Sequence, residues 1–351
     1  NFAWAAMTVL ARATADLSEL RRAAWRAATV YRGPGRRYVI NDNAGDAFTF
    51  ISGGNDWGGY RIAPKGSTIG RTVALGAALP TDFLFVGPSR TVDDVRGLRL
   101  NLEECQPKFK ADLHQGRRAA WYSLAFLLRS AAAEFLDVDP RELVAGIHPE
   151  RHGDSQACYA FLADTLENGA GFSTRLGEVF DEFAAHVQRF LAGLADPRHA
   201  ESCKTSCYGC LRDYENMVFH PLLDWRLGAD LFTLLSGGDL PNDHATMARE
   251  RMALDSVRAV LQGEFLSSET AVIGTELRLG ERYAVVARHP FEACEDKLVS
   301  PRLEEALAAA CDYTKDETRV IVTDWFTAER NPLLVVQQTA RPERRRKAAR
   351  R

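Results

Sequence analysis

Cys203, Cys207 and Cys210 stand at C-x3-C-x2-C spacing, close enough for one loop to bring three thiols to a common point. Thiolate is a soft donor, and zinc and iron–sulfur clusters are the groups that favour it. The spacing therefore predicts a metal loop. A closed zinc site needs a fourth donor. His199 extends the pattern to H-x3-C-x3-C-x2-C and lets a single loop supply the whole tetrahedron, while His220 and Cys158 are rivals that would each tie a more distant segment to it. With every position filled by protein, no place is open for a catalytic water, so the expected metal is structural and its binding energy is folding energy. A [4Fe-4S] cluster is the alternative, although three cysteines fall short of the usual four.

Other patterns carry less chemistry. Arg21, Arg22, Arg26, Arg32, Arg36 and Arg37 run together with Trp25, Tyr31 and Tyr38 and without an acidic residue, as a phosphate-tracking surface with stacking rings would, or as a solvated face over core aromatics would. Asn168-Gly169-Ala170-Gly171 lies between a predicted strand and a helix. Exposed amides there suit a phosphate, and a tight left-handed turn explains the glycines as well and is preferred. Asn41 to Asp46 offers carboxylates and amides but lacks the glycine and glutamate positions of a calcium loop. No G-x-S-x-G or H-E-x-x-H occurs, and His289 and Asp324 lack the patterned carboxylates of a metal-dependent nuclease. No G-x-x-x-x-G-K-[ST] loop is present to cradle ATP phosphates, so this stretch alone is not expected to hydrolyse ATP.

The elements that must position these residues follow from composition and periodicity. At 46% hydrophobic and 26% charged, the chain reads as globular rather than disordered. A net charge of -3 does not mark a nucleic-acid binder, and the basic excesses are local: residues 21–37 and the tail from Arg341 to Arg351. The cysteines outside the trio, Cys105, Cys158, Cys294 and Cys311, stand singly, which argues against a secreted disulfide framework. No apolar run approaches the ~18 residues of a membrane helix, and no signal peptide opens the chain, so the expected compartment is the cytoplasm and no membrane partner is expected. A start at Asn1 rather than Met is what a fragment would show.

The class expected is α/β, mixed α+β. Alanine and leucine up to Trp25 predict a helix, followed by strands at RYVI, AFTF and TDFLFVG. Apolar residues at three- and four-residue spacing predict a core helix from Gln115 to Leu136, and Asp139-Pro140 an N-cap for a short one after it. VAGIH and ACYAFLAD read as buried strands, 173–194 as helix, PLLDWRLGADLFTLL as helix and 244–263 as helix. AVIGTELRL, RYAVVARH, RVIVTDWF and LLVVQQ are strand-like around a helix at PRLEEALAAAC.

From Cys203 to Asn216, with Tyr208-Gly209-Cys210-Leu211-Arg212-Asp213-Tyr214-Glu215, and on through His220-Pro221-Leu222-Leu223-Asp224-Trp225-Arg226, the chain resembles the MrfA-type zinc-binding domain that follows the motors of bacterial superfamily-2 DNA helicases, including helicases of phage-defence islands. Asp164 to Phe172 resembles the same family's aspartate- and glycine-rich segment, and Trp121 to Leu128 its preceding helix. Many members supply four cysteines where this chain has three, so the fourth ligand does not carry over.

The resemblance implies structural Zn2+ and DNA as partner. It also implies ATP-driven motor domains before Asn1, in the same or a partner chain, and contacts to other defence-system proteins. The resemblance makes residues 1–112 a helical and β-hairpin connector to the motors and 113–238 a helix-rich zinc-binding domain flanked by small β segments, while the strand and helix pattern predicts a small α/β domain at 239–340 and composition a disordered basic tail at 341–351. Lys204, Arg212 and Arg226 beside the metal loop, with Arg32, Arg36 and Arg37, are the candidate DNA contacts. The competing expectation is a non-catalytic, zinc-containing interaction subunit of a repair or phage-defence complex.

Overall fold

Strand pairing, not helix, organises the first described residues. The computed structural model of the protein describes residues 12–14, 17–41, 48–52, 60–62, 71–73, 75–89, 97–102, 115–152, 155–241, 244–266, 272–276, 281–293 and 299–339. Two compact units emerge, each assembled from separate stretches: 1–87, 122–148 and 159–228 in one, and 88–121, 149–158 and 229–351 in the other. The stretch weighed as a calcium loop lies outside the described residues beyond Asn41, as do Cys105, Cys294 and the basic tail.

In the first unit, β1 (Arg12–Thr14) and β2 (Arg21–Trp25) both pair antiparallel with the long β3 (Ala28–Asn41). The helix expected up to Trp25 is thus corrected where residues are described. Arg26, at φ +51°, turns the chain so that Trp25 faces Ala28 and Arg21 faces Arg32, and Trp25 packs edge-on against Phe180 at 5.1 Å. Pairing and burial of one aromatic override the modest helix preference of alanine. A small sheet of β4 (Phe48–Ser52), β5 (Tyr60–Ile62) and β6 (Arg71–Val73) follows, and then β7 (Leu75–Pro88). RYVI and TDFLFVG fall in β3 and β7 as expected, and Phe48–Phe50, the described part of AFTF, in β4.

Helix α1 (Gln115–Leu136) has the predicted limits. The Asp139 side chain accepts the Arg141 amide and starts a single 3-10 turn, Pro140–Glu142, which delivers the chain to β8 (Leu143–His152) and β9 (Ser155–Asp164). The main sheet runs β1-β3-β7-β9-β8, with β2 also on β3. Phe85 sits opposite Phe161 across β7 and β9, and Phe83 to Val86 are buried without alternation, so both faces of β7 are covered. Then come α2 (Phe172–Glu178), α3 (Phe180–Ala195), the one-turn α4 (Pro197–Ala200), the cysteine loop and α5 (Trp225–Leu235).

The second unit contains α6 (His244–Leu261), β10 (Glu264–Phe265), β11 (Val272–Glu276), β12 (Arg282–Arg288), α7 (Pro301–Thr314), β13 (Val320–Asp324), α8 (Trp325–Arg330) and α9 (Pro332–Thr339). Strands β10, β11 and β12 form an antiparallel meander, and α7 crosses over to set β13 parallel to β12. Val286, Leu303, Ala310 and Val322 are among the residues filling the layer between sheet and α7.

Of RVIVTDWF, expected as strand-like, Val320–Asp324 is strand while Trp325 and Phe326 open α8, and LLVVQQ, also expected as strand-like, is α9. Pro332 occupies its first turn and Asn331 Oδ1 accepts the Leu334 amide, start signals that outweigh two valines. Asp324 caps α8 by accepting the Thr327 amide and hydroxyl, and His289 Nε2 donates to Asp230, so both of these polar side chains serve the fold. Arg302 bridges two buried carboxylates, reaching Glu250 at 2.5 and 3.0 Å and Glu292 at 2.5 Å. Burial pushes the Glu250 carboxyl up; it acts on Glu292 too, where Arg302 and hydrogen bonds from the His289 amide and Ser300 overcome it and hold that group down.

Candidate metal centre

The site is built by two local turns. Asp196 caps α4 by accepting the Arg198 amide at 3.0 Å, and Pro197 opens that single turn with its torsion preset, which places His199. The Cys203 amide then donates to the His199 carbonyl at 2.8 Å and turns the chain back. Around Cys207 and Cys210 a second tight turn closes, with the Cys210 amide on the Cys207 carbonyl at 3.1 Å and the Cys207 amide on Cys210 Sγ at 3.1 Å. Donor atoms of His199, Cys203, Cys207 and Cys210 all lie within 4.8 Å of one another.

Their separations match one ion. Cys207 Sγ is 3.6 Å from Cys210 Sγ and 3.6 Å from His199 Nε2, and Cys203 Sγ is 3.9 Å from Cys210 Sγ. A tetrahedron with zinc–sulfur bonds of ~2.3 Å has sulfur–sulfur edges of ~3.8 Å. Three soft thiolates and one imidazole are also a zinc-type donor set, and four donors close it. His199 Nδ1 donates to the Leu194 carbonyl at 2.8 Å, so the proton sits on Nδ1 and the Nε2 lone pair faces the thiols. Burial pushes the Cys203 and Cys210 thiols up. Neither His220 nor Cys158 joins the group: His220 Nε2 donates to Asn216 Oδ1 at 2.8 Å, and Cys158 is buried in β9.

Residues that sequence reasoning did not single out hold the loop. Arg129, buried on α1, donates Nε to the Pro140 and Leu143 carbonyls at 2.8 Å each and its terminal nitrogens to Asp213 and Glu215. Ser130 Oγ donates to the Cys210 carbonyl at 2.9 Å. Trp225 sends its indole N–H to the Cys203 carbonyl at 3.2 Å and its amide to the Thr205 carbonyl at 2.8 Å. A signal existed for Arg129, a charge inside the apolar run AFLLRSAAAEF, which either faces water or is buried and paired.

The candidate DNA contacts separate by environment. Lys204 is exposed, Arg36 is exposed, and Arg32 is half-buried with its stem over Gly177. Arg212 is half-buried with Nε on Ser206 Oγ at 2.8 Å. Two others are turned inward rather than presented. Arg37 is 8% exposed with Nη2 on the Thr165 carbonyl at 3.4 Å, and Arg226 lies on the Trp225 ring with its guanidinium on the carbonyls of Ala200, Cys203 and Lys204.

Asn168-Gly169-Ala170-Gly171 is a turn, as preferred. The Asp164 carboxylate takes the amides of Ala170, Phe172 and Ser173 at 2.7–3.1 Å and the Ser173 hydroxyl at 2.7 Å, which leaves these donors no phosphate to hold. Gly169 is required there: φ is +79°, and a Cβ would stand 2.6 Å from Asp82 Oδ2.

The chain is 30% identical over 183 residues to the Druantia protein DruE of Escherichia coli (strain UMEA 4076-1), a match that covers 49% of this chain and 9% of the relative's length. Among solved structures, the DUF1998 helicase MrfA bound to DNA is matched at 8% identity with a TM-score of 0.35, over 61% of this chain and 23% of that one. The profile of the family described as the MrfA Zn-binding domain, MZB, matches residues 124–211, a span that includes His199, Cys203, Cys207 and Cys210. Residues 124–211 of this chain belong to the MrfA Zn-binding domain family.

Proposed function

We propose that this chain is the C-terminal, DNA-associated module of an ATP-dependent superfamily-2 DNA helicase, built around one structural zinc on His199, Cys203, Cys207 and Cys210. The observation that carries the reading is the closed donor set inside the family segment. Four protein ligands leave zinc no open position, so the ion supplies folding energy and a rigid loop rather than chemistry. Three thiolates and a neutral imidazole around a divalent ion leave one net negative charge, which the Arg226 guanidinium on the loop carbonyls offsets. The family's namesake was solved as a DNA-bound helicase and the DruE relative is far longer than this chain, and both facts support motor domains elsewhere in the parent protein or in a partner. Lys204 and Arg212 on the loop, with Arg32 and Arg36 on β3, are the proposed phosphate contacts.

Metal analysis by mass spectrometry with a visible spectrum, on aerobic and anaerobic preparations, is the direct test. About one zinc per chain, no visible band and loss of metal in His199→Ala are expected. Iron with a broad visible band would replace zinc by a cluster, and metal-free protein in every preparation would sink the reading. DNA binding should fall linearly on a log–log plot against salt, and Lys204→Ala should reduce that slope by about one. A folded, zinc-loaded sample that ignores DNA at low salt would leave only the interaction-subunit alternative.

A further inference from the structure

Two tyrosines beside the metal loop face solvent to an unusual degree for large rings: Tyr208 is 71% and Tyr214 84% exposed. Neither sits on a loose loop. Tyr208 lies between Cys207 and Cys210, inside the turn closed by their mutual hydrogen bonds. Tyr214 lies between Asp213 and Asn216, which exchange amide-to-side-chain bonds of 2.9 and 2.8 Å, and Arg129 anchors Asp213 and Glu215 on either side of it. His220 joins the two loops, with its ring edge-to-face with Tyr208 at 5.7 Å and its Nε2 donating to Asn216.

Four carboxylates near these rings are already held by protein groups. Asp213 and Glu215 are paired with Arg129, Asp196 with Arg198, and the Asp224 carboxylate is buried on the Arg226 amide. Lys204 makes no ion pair among the described residues, and Arg212 has only its Nε committed, to Ser206.

We infer that Tyr208 and Tyr214 are stacking platforms for unpaired nucleobases, so that the DNA taken by this face is single-stranded. The inference rests on the DNA-associated reading above and adds the groups that discriminate. Bases in a duplex are already stacked on each other and offer only edges and phosphates, whereas an unpaired base has an open π-face. The turns fix the backbone beneath each ring, and a tyrosine has only two side-chain torsions left to lose on stacking, so the entropic cost is small. Lys204 and Arg212 then meet the phosphates between the stacked bases.

The test is fluorescence anisotropy of the full, zinc-loaded chain at one fixed salt concentration. The probes are an oligothymidylate, a blunt duplex and an abasic oligomer of the same length and charge as the oligothymidylate. Wild type should bind the oligothymidylate more tightly than either other probe. Tyr208→Ala and Tyr214→Ala should each weaken oligothymidylate binding on the order of ten-fold while leaving the abasic oligomer unchanged, and Tyr208→Phe and Tyr214→Phe should restore it. Metal content and melting temperature of each variant establish that the loop is intact. Unchanged oligothymidylate binding in both alanine variants overturns the inference and assigns the exposed rings, with Met217 and Val218 beside them, to a protein partner. Equal losses on the abasic oligomer overturn it too. Failure of the wild type to bind any probe overturns the DNA-associated reading itself, a result distinct from binding that ignores the tyrosines.

Discussion

The Nδ1–H of His199 points at the Leu194 carbonyl, 2.8 Å away, and this one bond decides which imidazole nitrogen faces the thiols. His199→Cys should keep about one zinc per chain, because a thiolate also completes the tetrahedron, whereas His199→Gln should lose most of it. Metal content against chain concentration checks both. Full zinc retention in His199→Gln would remove the imidazole from the ligand set.

Arg226 holds three carbonyls of the loop from above the Trp225 ring. Arg226→Ala should therefore weaken metal affinity by about 10- to 100-fold, as outer-shell losses do, while Lys204→Ala should leave it unchanged. Competition with a chromophoric chelator reads both. The reverse ranking would make Arg226 a surface cation and not a brace.

Arg129 pairs two carboxylates and two carbonyls from a buried position on α1. Arg129→Met should destabilise the unit by about 3–5 kcal/mol, since Asp213 and the carbonyls lose a buried partner together. Arg129→Lys should recover little, because an ammonium cannot reproduce the planar fork. Urea denaturation followed by tryptophan fluorescence measures the loss.

Asp164 gathers three amides and a hydroxyl. Asp164→Ala should cost roughly 2–4 kcal/mol as these donors go unpaired, with the largest gain in amide exchange at Ala170, Phe172 and Ser173. Exchange confined to another segment would count against this role.

Arg302 sets the pH response of the second unit. In the wild type Glu292, held down, contributes stability that is lost as pH falls through its folded pKa, while Glu250, pushed up by burial, costs stability as pH rises through its own. Without the guanidinium both carboxyls are raised. Arg302→Met should thus be destabilised by about 3–5 kcal/mol at neutral pH, and the deficit should shrink as pH falls toward the ordinary glutamate value of about 4.3. A deficit that grows on acidification would reverse the assigned signs.

Much of the local structure was legible. The limits of α1 follow from apolar spacing that a buried face imposes, and the strands at RYVI, AFTF and TDFLFVG from β-branched and aromatic runs. Two of the segments that misled did so for the same reason: propensity is a small energy. Residues 21–25 are good helix formers, yet pairing with β3 and burial of Trp25 prevail, and the valines of LLVVQQ yield to Pro332 and Asn331.

By itself the sequence brought out the candidate metal ligands, because three thiols and an imidazole within one short stretch can reach a common point through local turns alone. Only the tertiary structure decided the rest. It excluded His220 and Cys158, brought Arg129 of α1 to Asp213 and Glu215, turned Arg37 and Arg226 inward, and filled the Asp164 turn with a carboxylate. Each of those outcomes depends on which distant segment supplies a partner to a buried polar group, and spacing along the chain carries no information about that.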